Sequence, residues 1–218
     1  MTTASLMVEN GNFLAATDFA TDVETGVTRS RYGRRVVSLG EDFLVGFHEA
    51  LVDECGDAAS EVLDTCGRTF GELWARSIAD DLEQFYGTAP GEFPAALFLA
   101  CIRQALRAHG WGDTEITFDH AGQGVLCVEH ARAPFAELLP ESNRPADSLV
   151  GGMLAGLLSH FAGQDLLAIQ TECPLRGDAR SYYVLALRER IRKLELPESG
   201  TLGTADALEA LSRIEAQA

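Results

Sequence analysis

Apolar residues recur at helical spacing over four long stretches of this chain and alternate with polar ones over several short stretches. The densest pattern lies late in the chain. Leu149, Val150, Met153, Leu154, Leu157, Leu158 and Phe161 predict an amphipathic helix, which Gly163, Gln164 and Asp165 end. Residues 166–173 then read as a strand, 174–178 as a turn around Gly177, and 181–187 as a second strand.

Earlier in the chain, residues 13–37 mix short apolar runs with turn signals at Asp18, Gly26 and Gly33, which predicts one or two short strands or a hairpin. Glu41 and Asp42 open a helix whose expected buried stripe is Phe43, Leu44, Phe47 and Leu51, and Gly56 ends it. Asp57 is the expected cap of the longest helix, which runs to about Tyr86 and stops at Gly87. Its stripe reads Ala59, Val62, Leu63, Cys66, Phe70, Trp74, Ile78, Leu82 and Phe85. Gly67 and Gly71 sit inside this helix, where a glycine costs roughly 1 kcal/mol against alanine. Close approach of another helix, or room for a bulky ligand, would compensate.

A third helix spans 95–109 with Phe98, Leu99, Ile102 and Leu106 inward, and His109-Gly110-Trp111-Gly112 breaks it. Residues 113–120 alternate, with Ile116 and Phe118 on one side, and a Gly-rich turn leads into a strand over 125–130. Pro134-Phe135 begins a short helical turn, and 140–145 reads as a surface loop. After Arg190 the chain becomes polar, with a linker at 197–203 and a short helix at 205–214 carrying Leu208, Leu211 and Ile214 on one face. Strands adjacent in sequence and joined by tight turns imply an α+β fold, an antiparallel sheet packed by a long helical hairpin. The expected division is a flexible N-terminus at 1–12, one domain at 13–195, and a tail at 196–218.

Composition changes this picture in one respect. A hydrophobic content of 46% with 23% charged residues is ordinary for a globular chain of 218 residues, but the net charge of −16 is not. Such a surface repels phosphate backbones, so no nucleic-acid partner is expected. Thirteen acids lie between Glu41 and Glu92 against only Arg68 and Arg76, either a solvated face or a docking surface for a basic partner. Arg29, Arg31, Arg34 and Arg35 form one basic patch, either paired within the chain or aimed at the carboxylates of a ligand or partner. Five dispersed cysteines argue for reduced thiols in a cytosolic compartment. No secretory signal or apolar span of about twenty residues is visible, so no transmembrane segment is expected.

The spacing of Gly152 and Gly156, followed by Gly163, Cys173 and Gly177, resembles the 4-vinyl reductase family of small-molecule-binding domains. The similarity extends from about Asn12 to Arg190 and takes in Cys66-Gly67, His109 to Gly112, and Pro134-Phe135. Gln170-Thr171-Glu172-Cys173 is similar to the Gln-Thr-x-Cys form of a photosynthetic, cyanobacterial-like subgroup. The resemblance implies the fold shared with haem-based nitric-oxide sensors and TRAPP vesicle-tethering subunits. Several members, among them sensor domains of phenol-responsive activators, bind zinc through three cysteines and a glutamate. The matching positions here are Asp147, Gln170, Cys173 and Ser181. With one thiol and an amide in that set, no metal is expected.

The search for catalysis is negative: GxSxG, HExxH, P-loop and GxGxxG patterns are missing, and so is any nicotinamide or flavin fingerprint. Glu129 and His130 are adjacent in a strand and point to opposite faces, His160 reads as a surface residue, and nothing selects a histidine as haem ligand. The reading therefore favours a binding protein over an enzyme. Its expected ligand is hydrophobic, a chlorophyll-type tetrapyrrole or precursor as the resemblance implies, with an accessory role in pigment handling or photosystem assembly. The expected place is cytoplasmic, peripheral to photosynthetic membranes. Trp74, Ile78, Phe85, Phe98, Trp111, Phe135, Phe161 and Tyr182 are the candidate pocket wall, between the long helices and the sheet. The alternative is a scaffold of the TRAPP kind, which docks a protein partner or a second copy through its acidic helices without a ligand.

Overall fold

Two glycine pairs decide how this chain packs. The computed structural model describes residues 19–139, 147–195 and 202–215. The expected flexible N-terminus at 1–12 and the loop at 140–145 lie outside the described residues. A helix α1 (Glu41–Cys55) leads through a tight turn at Gly56–Ala58 into the long helix α2 (Ala59–Tyr86). Helices α3 (Ala95–Ala108), α4 (Pro134–Leu138), α5 (Ser148–Ala162), α6 (Arg188–Ile191) and α7 (Thr204–Glu215) follow in chain order. A Cβ added at Gly67 or Gly71 of α2 would collide with the carbonyls of Leu149 and Met153, and one at Gly152 or Gly156 of α5 with those of Asp64 and Arg68. The two backbones therefore touch, an arrangement in which Cα–H···O contacts recur. Of the two reasons for glycine inside the long helix, close helix approach is the one realised.

This contact corrects part of the expected stripe of α2, of which Ala59, Leu63, Ile78 and Leu82 are buried as expected. Its buried residues are Ala59, Leu63, Gly67, Gly71, Ala75, Ile78 and Leu82, a face of small side chains at the centre with larger ones toward its ends. Val62 and Phe70 are exposed at 37% and 38%, and Cys66 is exposed too. The cap position is Ala58, because Asp57 lies within the tight turn before the helix. In α5 every residue from Val150 to Ser159 is buried, so the helix expected to be amphipathic is enclosed along its middle. By contrast α1 buries nothing completely, and Phe43 of its expected stripe is 53% exposed.

Strands β1 (Phe19–Asp22), β2 (Val27–Ser30) and β3 (Arg35–Val36) make a small antiparallel sheet, one strand more than a hairpin. The main sheet joins β4 (Asp113–Thr117), β5 (Val125–Ala131), β6 (Leu166–Glu172) and β7 (Ser181–Leu187) in the antiparallel order β4-β5-β7-β6. Val128 lies opposite Tyr183, and Ile169 opposite Val184. The strand expected over 113–120 stops at Thr117, and Phe118 is 45% exposed.

The main sheet is covered on both faces. On one face Val128, Tyr183 and Leu185 meet α3 and α5 through Ile102, Leu106, Leu154 and Leu157, all buried. Each such aliphatic side chain contributes about 1.5–3 kcal/mol by leaving water. On the other face Val125, Cys127, Val184 and Ala186 pack against Ala207 and Leu211 of α7. The short helix expected near the end of the chain is present and covers sheet. Arg190 fixes it by donating to the carbonyls of Leu211 at 2.9 Å and Gln123 at 2.7 Å. All five cysteines are free thiols, and burial pushes that of Cys101 up to about 11. No helix among the described residues is long and apolar enough to cross a membrane.

Candidate functional site

Between α5 and the main sheet, Leu154 and Leu157 are buried with Val128, Tyr183 and Leu185. A cleft of about 830 Å³ opens instead on another side of α2, under the small sheet. Helix α2 supplies Phe70, Leu73, Trp74, Ser77, Ile78 and Asp81 as its floor. The end of α3 with the following loop gives Ala105, His109 and Trp111, and the small sheet gives Phe19, Arg34, Arg35 and Val36. Leu44 of α1 closes one end.

Aromatic rings make the wall. Phe70 stacks on Trp74 with centroids 5.4 Å apart and planes at 12°, and lies 5.6 Å from Trp111. His109 meets Trp74 edge-on at 5.0 Å and Phe19 at 5.2 Å. Helical spacing places Phe70 and Trp74 one turn apart, which is why they stack. Trp111 is placed by His130, buried at 0% exposure in β5, whose Nε2–H donates to the Trp111 carbonyl at 2.6 Å. Gly112 allows that approach, since a Cβ there would lie 2.7 Å from His130 Nε2 in a left-handed backbone conformation of φ 95°.

Polar side chains also line the cleft, among them Thr28, Ser30, Arg34, Arg35, Ser38, Ser77, Asp81 and His109. Arg34 donates to Asp81 and Asp80, both at 3.0 Å, and to the Ser77 carbonyl at 3.1 Å, so this member of the basic patch is paired within the chain. Burial pushes the Asp81 carboxyl upward, against the pull of Arg34. Arg31 lies 5.5 Å from the centroid of Phe85. His109 Nδ1–H donates to the Ala105 carbonyl at 2.9 Å, which leaves Nε2 as an acceptor, and burial holds the imidazole below its usual range and hence neutral near pH 7. The site thus offers apolar planes and a neutral imidazole acceptor at His109, with Arg35 in its lining.

Of the eight candidate wall residues, Trp74, Ile78 and Trp111 come together here. Phe98 and Phe161 meet each other at 4.8 Å, away from the cleft. Phe135 is buried in the core against His48, Phe85 packs on Tyr86, and Tyr182 lies on the α7 face of the sheet. Sequence reasoning did not select His109, Arg34 or Asp81 for this site. The signals available were the His109-Gly110-Trp111-Gly112 break and the basic patch that holds Arg34 and Arg35. Glu129 pairs with Arg180 while His130 is buried, as expected for opposite faces, and His160 is exposed.

Three of the four positions matched to a zinc site, Asp147, Gln170 and Ser181, converge, and they do not fit a zinc ion. Ser181 Oγ–H donates to Asp147 Oδ2 at 2.8 Å, and the Gln170 amide donates to Ser181 at 3.1 Å and to Asp147 at 3.4 Å. Cys173 is the single thiolate source, and no group of three His, Cys, Asp or Glu among the described residues could hold a metal. Hydrogen bonds tie the start of α5 to β6 and β7 here. Burial pushes the Asp147 carboxyl up, and its hydrogen bonds oppose that shift.

By sequence the chain matches no family model and no curated protein. By structure it is similar to the phenol-responsive sensory domain of the transcription activator PoxR with phenol, at a TM-score of 0.66 and 15% identity, over 89% of this chain and 94% of that one. That likeness extends to the α+β fold of antiparallel sheets and long helices. A vinyl-4-reductase family protein from Methanocaldococcus jannaschii aligns at a TM-score of 0.49 and 13% identity, over 70% of this chain and 83% of that one. A trafficking protein particle complex subunit 3 from Naegleria fowleri, covalently bound to palmitic acid, aligns at 0.49 and 18%, over 68% and 95%.

Proposed function

We propose that the protein is a non-catalytic binding module for one hydrophobic, planar small molecule, held in the cleft beneath the small sheet. The observation that carries this reading is the cleft itself: about 830 Å³, walled by the rings of Phe70, Trp74 and Trp111 with His109 at its edge. Ligand sites are of this size, mostly apolar, with few oriented polar groups. The fold likeness to a sensory domain, whose name says that it responds to phenol, supports a receptor over an enzyme. The ligand class proposed is a chlorophyll-type tetrapyrrole or precursor, in an accessory role in pigment handling or photosystem assembly.

The chain has two tryptophans, and both line the cleft, so intrinsic tryptophan fluorescence reports on this site alone. Titration with chlorophyllide or protochlorophyllide should quench it. At a hundredfold excess over the dissociation constant, binding stabilises the fold by about 2.7 kcal/mol. For a chain of this size that raises the melting temperature by about 5–11 °C. Trp74→Ala should weaken both effects, while Phe98→Leu, outside the cleft, should leave them. If no tetrapyrrole shifts the melt or the fluorescence and a basic protein co-purifies instead, the scaffold reading replaces this one.

A further inference from the structure

The small sheet roofs the cleft and is held to the rest of the molecule by little. Its three strands pair with one another and with no strand of the main sheet. Phe19 lies opposite Ser30, and Thr28 opposite Val36, so these four share the face that lines the cleft. No residue from 19 to 40 is fully buried, whereas Ile78 on the cleft floor is 3% exposed. Phe19 and Tyr32 half-bury their rings, Phe19 edge-on to His109 and Tyr32 against the core. The connection to α1, residues 37–40, is exposed throughout, has no regular structure and ends at Gly40. Segments with few buried apolar contacts open at low free-energy cost, and the lids of ligand sites are drawn from them.

Arg34 fastens this sheet to α2. The turn between β2 and β3 sets its position, with the Ser30 N–H donating to the Arg34 carbonyl at 2.8 Å and Gly33 at a φ of 80°. On α2, helical spacing puts Ser77, Asp80 and Asp81 on one face. The planar guanidinium reaches all three, donating to Asp81 and Asp80 at 3.0 Å and to the Ser77 carbonyl at 3.1 Å. The Arg34 and Asp80 side chains are 38% and 73% exposed, so water competes for these bonds. We infer that the small sheet is a lid on the cleft, hinged at residues 37–40 and latched to α2 by Arg34, and that its opening admits the ligand. Arg34 and Asp81 also line the cleft, which puts the latch on the path of entry. A planar ligand that reaches Phe70 and Trp74 passes beneath Phe19 and Val36, and closure over it provides the coverage of roughly 70–90% common at ligand sites. The gating of a ligand rests on the cleft being the ligand site; the motion of the lid does not.

The first test needs no ligand. Both tryptophans line the cleft, so acrylamide, a neutral quencher, meets them when the lid opens. In the full chain, Arg34→Gln should raise the lifetime-corrected quenching constant at least about twofold over wild type. Arg34→Lys, which keeps the charge and loses the fork, should fall between the two. Asp81→Asn releases the latch from its other side and should raise quenching likewise. Arg180→Gln, which breaks an exposed pair with Glu129 on the main sheet, should match wild type. Circular dichroism establishes that each variant is folded. In stopped-flow mixing with protochlorophyllide, Arg34→Gln should speed association and dissociation alike, each by about tenfold, the factor for one lost charge-assisted hydrogen bond. The dissociation constant should therefore hardly change. A folded Arg34→Gln that quenches as wild type does overturns the lid, and so does an equal rise in Arg180→Gln. Faster dissociation with unchanged association and quenching makes Arg34 a ligand contact and overturns the latch. If quenching rises in Arg34→Gln and no tetrapyrrole binds either protein, the lid is supported and the ligand reading alone is overturned.

Discussion

Adding a single methyl group at Gly156 and at Gly46 should change stability in opposite directions. Both glycines lie inside helices, so alanine gains about 1 kcal/mol of helix propensity at each. At Gly46 of α1 a new Cβ meets nothing within 4 Å, and that gain stands. At Gly156 of α5 the Cβ would collide with the Arg68 carbonyl oxygen and reach the Glu72 nitrogen at 3.0 Å. These are backbone atoms of another helix and cannot rotate away, so α2 and α5 must separate along a seam that includes Gly67, Gly71 and Gly152. Overpacking costs about 1–3 kcal/mol, and a rigid backbone obstacle belongs at or above the upper end. The net expectation is a loss of about 2 kcal/mol for Gly156→Ala and a gain of about 0.5–1 kcal/mol for Gly46→Ala. With roughly 2–4 °C per kcal/mol at this size, the midpoints should move down by about 4–8 °C and up by about 1–4 °C. Differential scanning calorimetry or circular dichroism melts of the two variants beside wild type measure this. A Gly156→Ala midpoint at or above wild type would refute backbone contact between the helices.

Asp147→Asn keeps the hydrogen-bonding shape of the buried cluster and removes its titration. Because burial raises the folded-state carboxyl above the ordinary carboxylate range, the wild-type carboxylate costs stability at neutral pH. That cost develops as pH rises from about the unfolded value through the folded one. The variant should therefore melt higher than wild type at pH 7, with the difference shrinking toward pH 4, and a difference constant across that range would contradict a raised carboxyl. Neither protein should retain stoichiometric zinc by elemental analysis after dialysis against a chelator. Leu211→Ala, at a fully buried position of α7, should cost about 2–5 kcal/mol in urea unfolding. A cost below about 0.5 kcal/mol would place α7 off the sheet.

Local order was legible from the sequence because its causes are local. The spacing of Leu149 to Phe161 fixed a helix ended at Gly163, and the glycines at 56, 87 and 177 marked helix and turn ends where the structure has positive φ. The antiparallel pairings of β4 with β5 and β6 with β7 followed from the short turns between them. What the sequence decided only in part was the stripe that α2 buries. Its expected stripe joins Ala59, Leu63, Ile78 and Leu82, which are buried, to Val62, Cys66 and Phe70, which are not. The helix buries Gly67, Gly71 and Ala75 instead, because a partner with matching glycines lets backbones touch, and hydrophobicity assigns that missing volume no value. The same holds for the site. Trp74 and Trp111 lie thirty-seven residues apart and meet across Phe70 only once α3 is packed and His130 holds the Trp111 carbonyl. Phe98, Phe135 and Tyr182 carry the same apolar character, but the fold sends them to other surfaces, since periodicity sets a side chain's face and tertiary packing sets what that face meets.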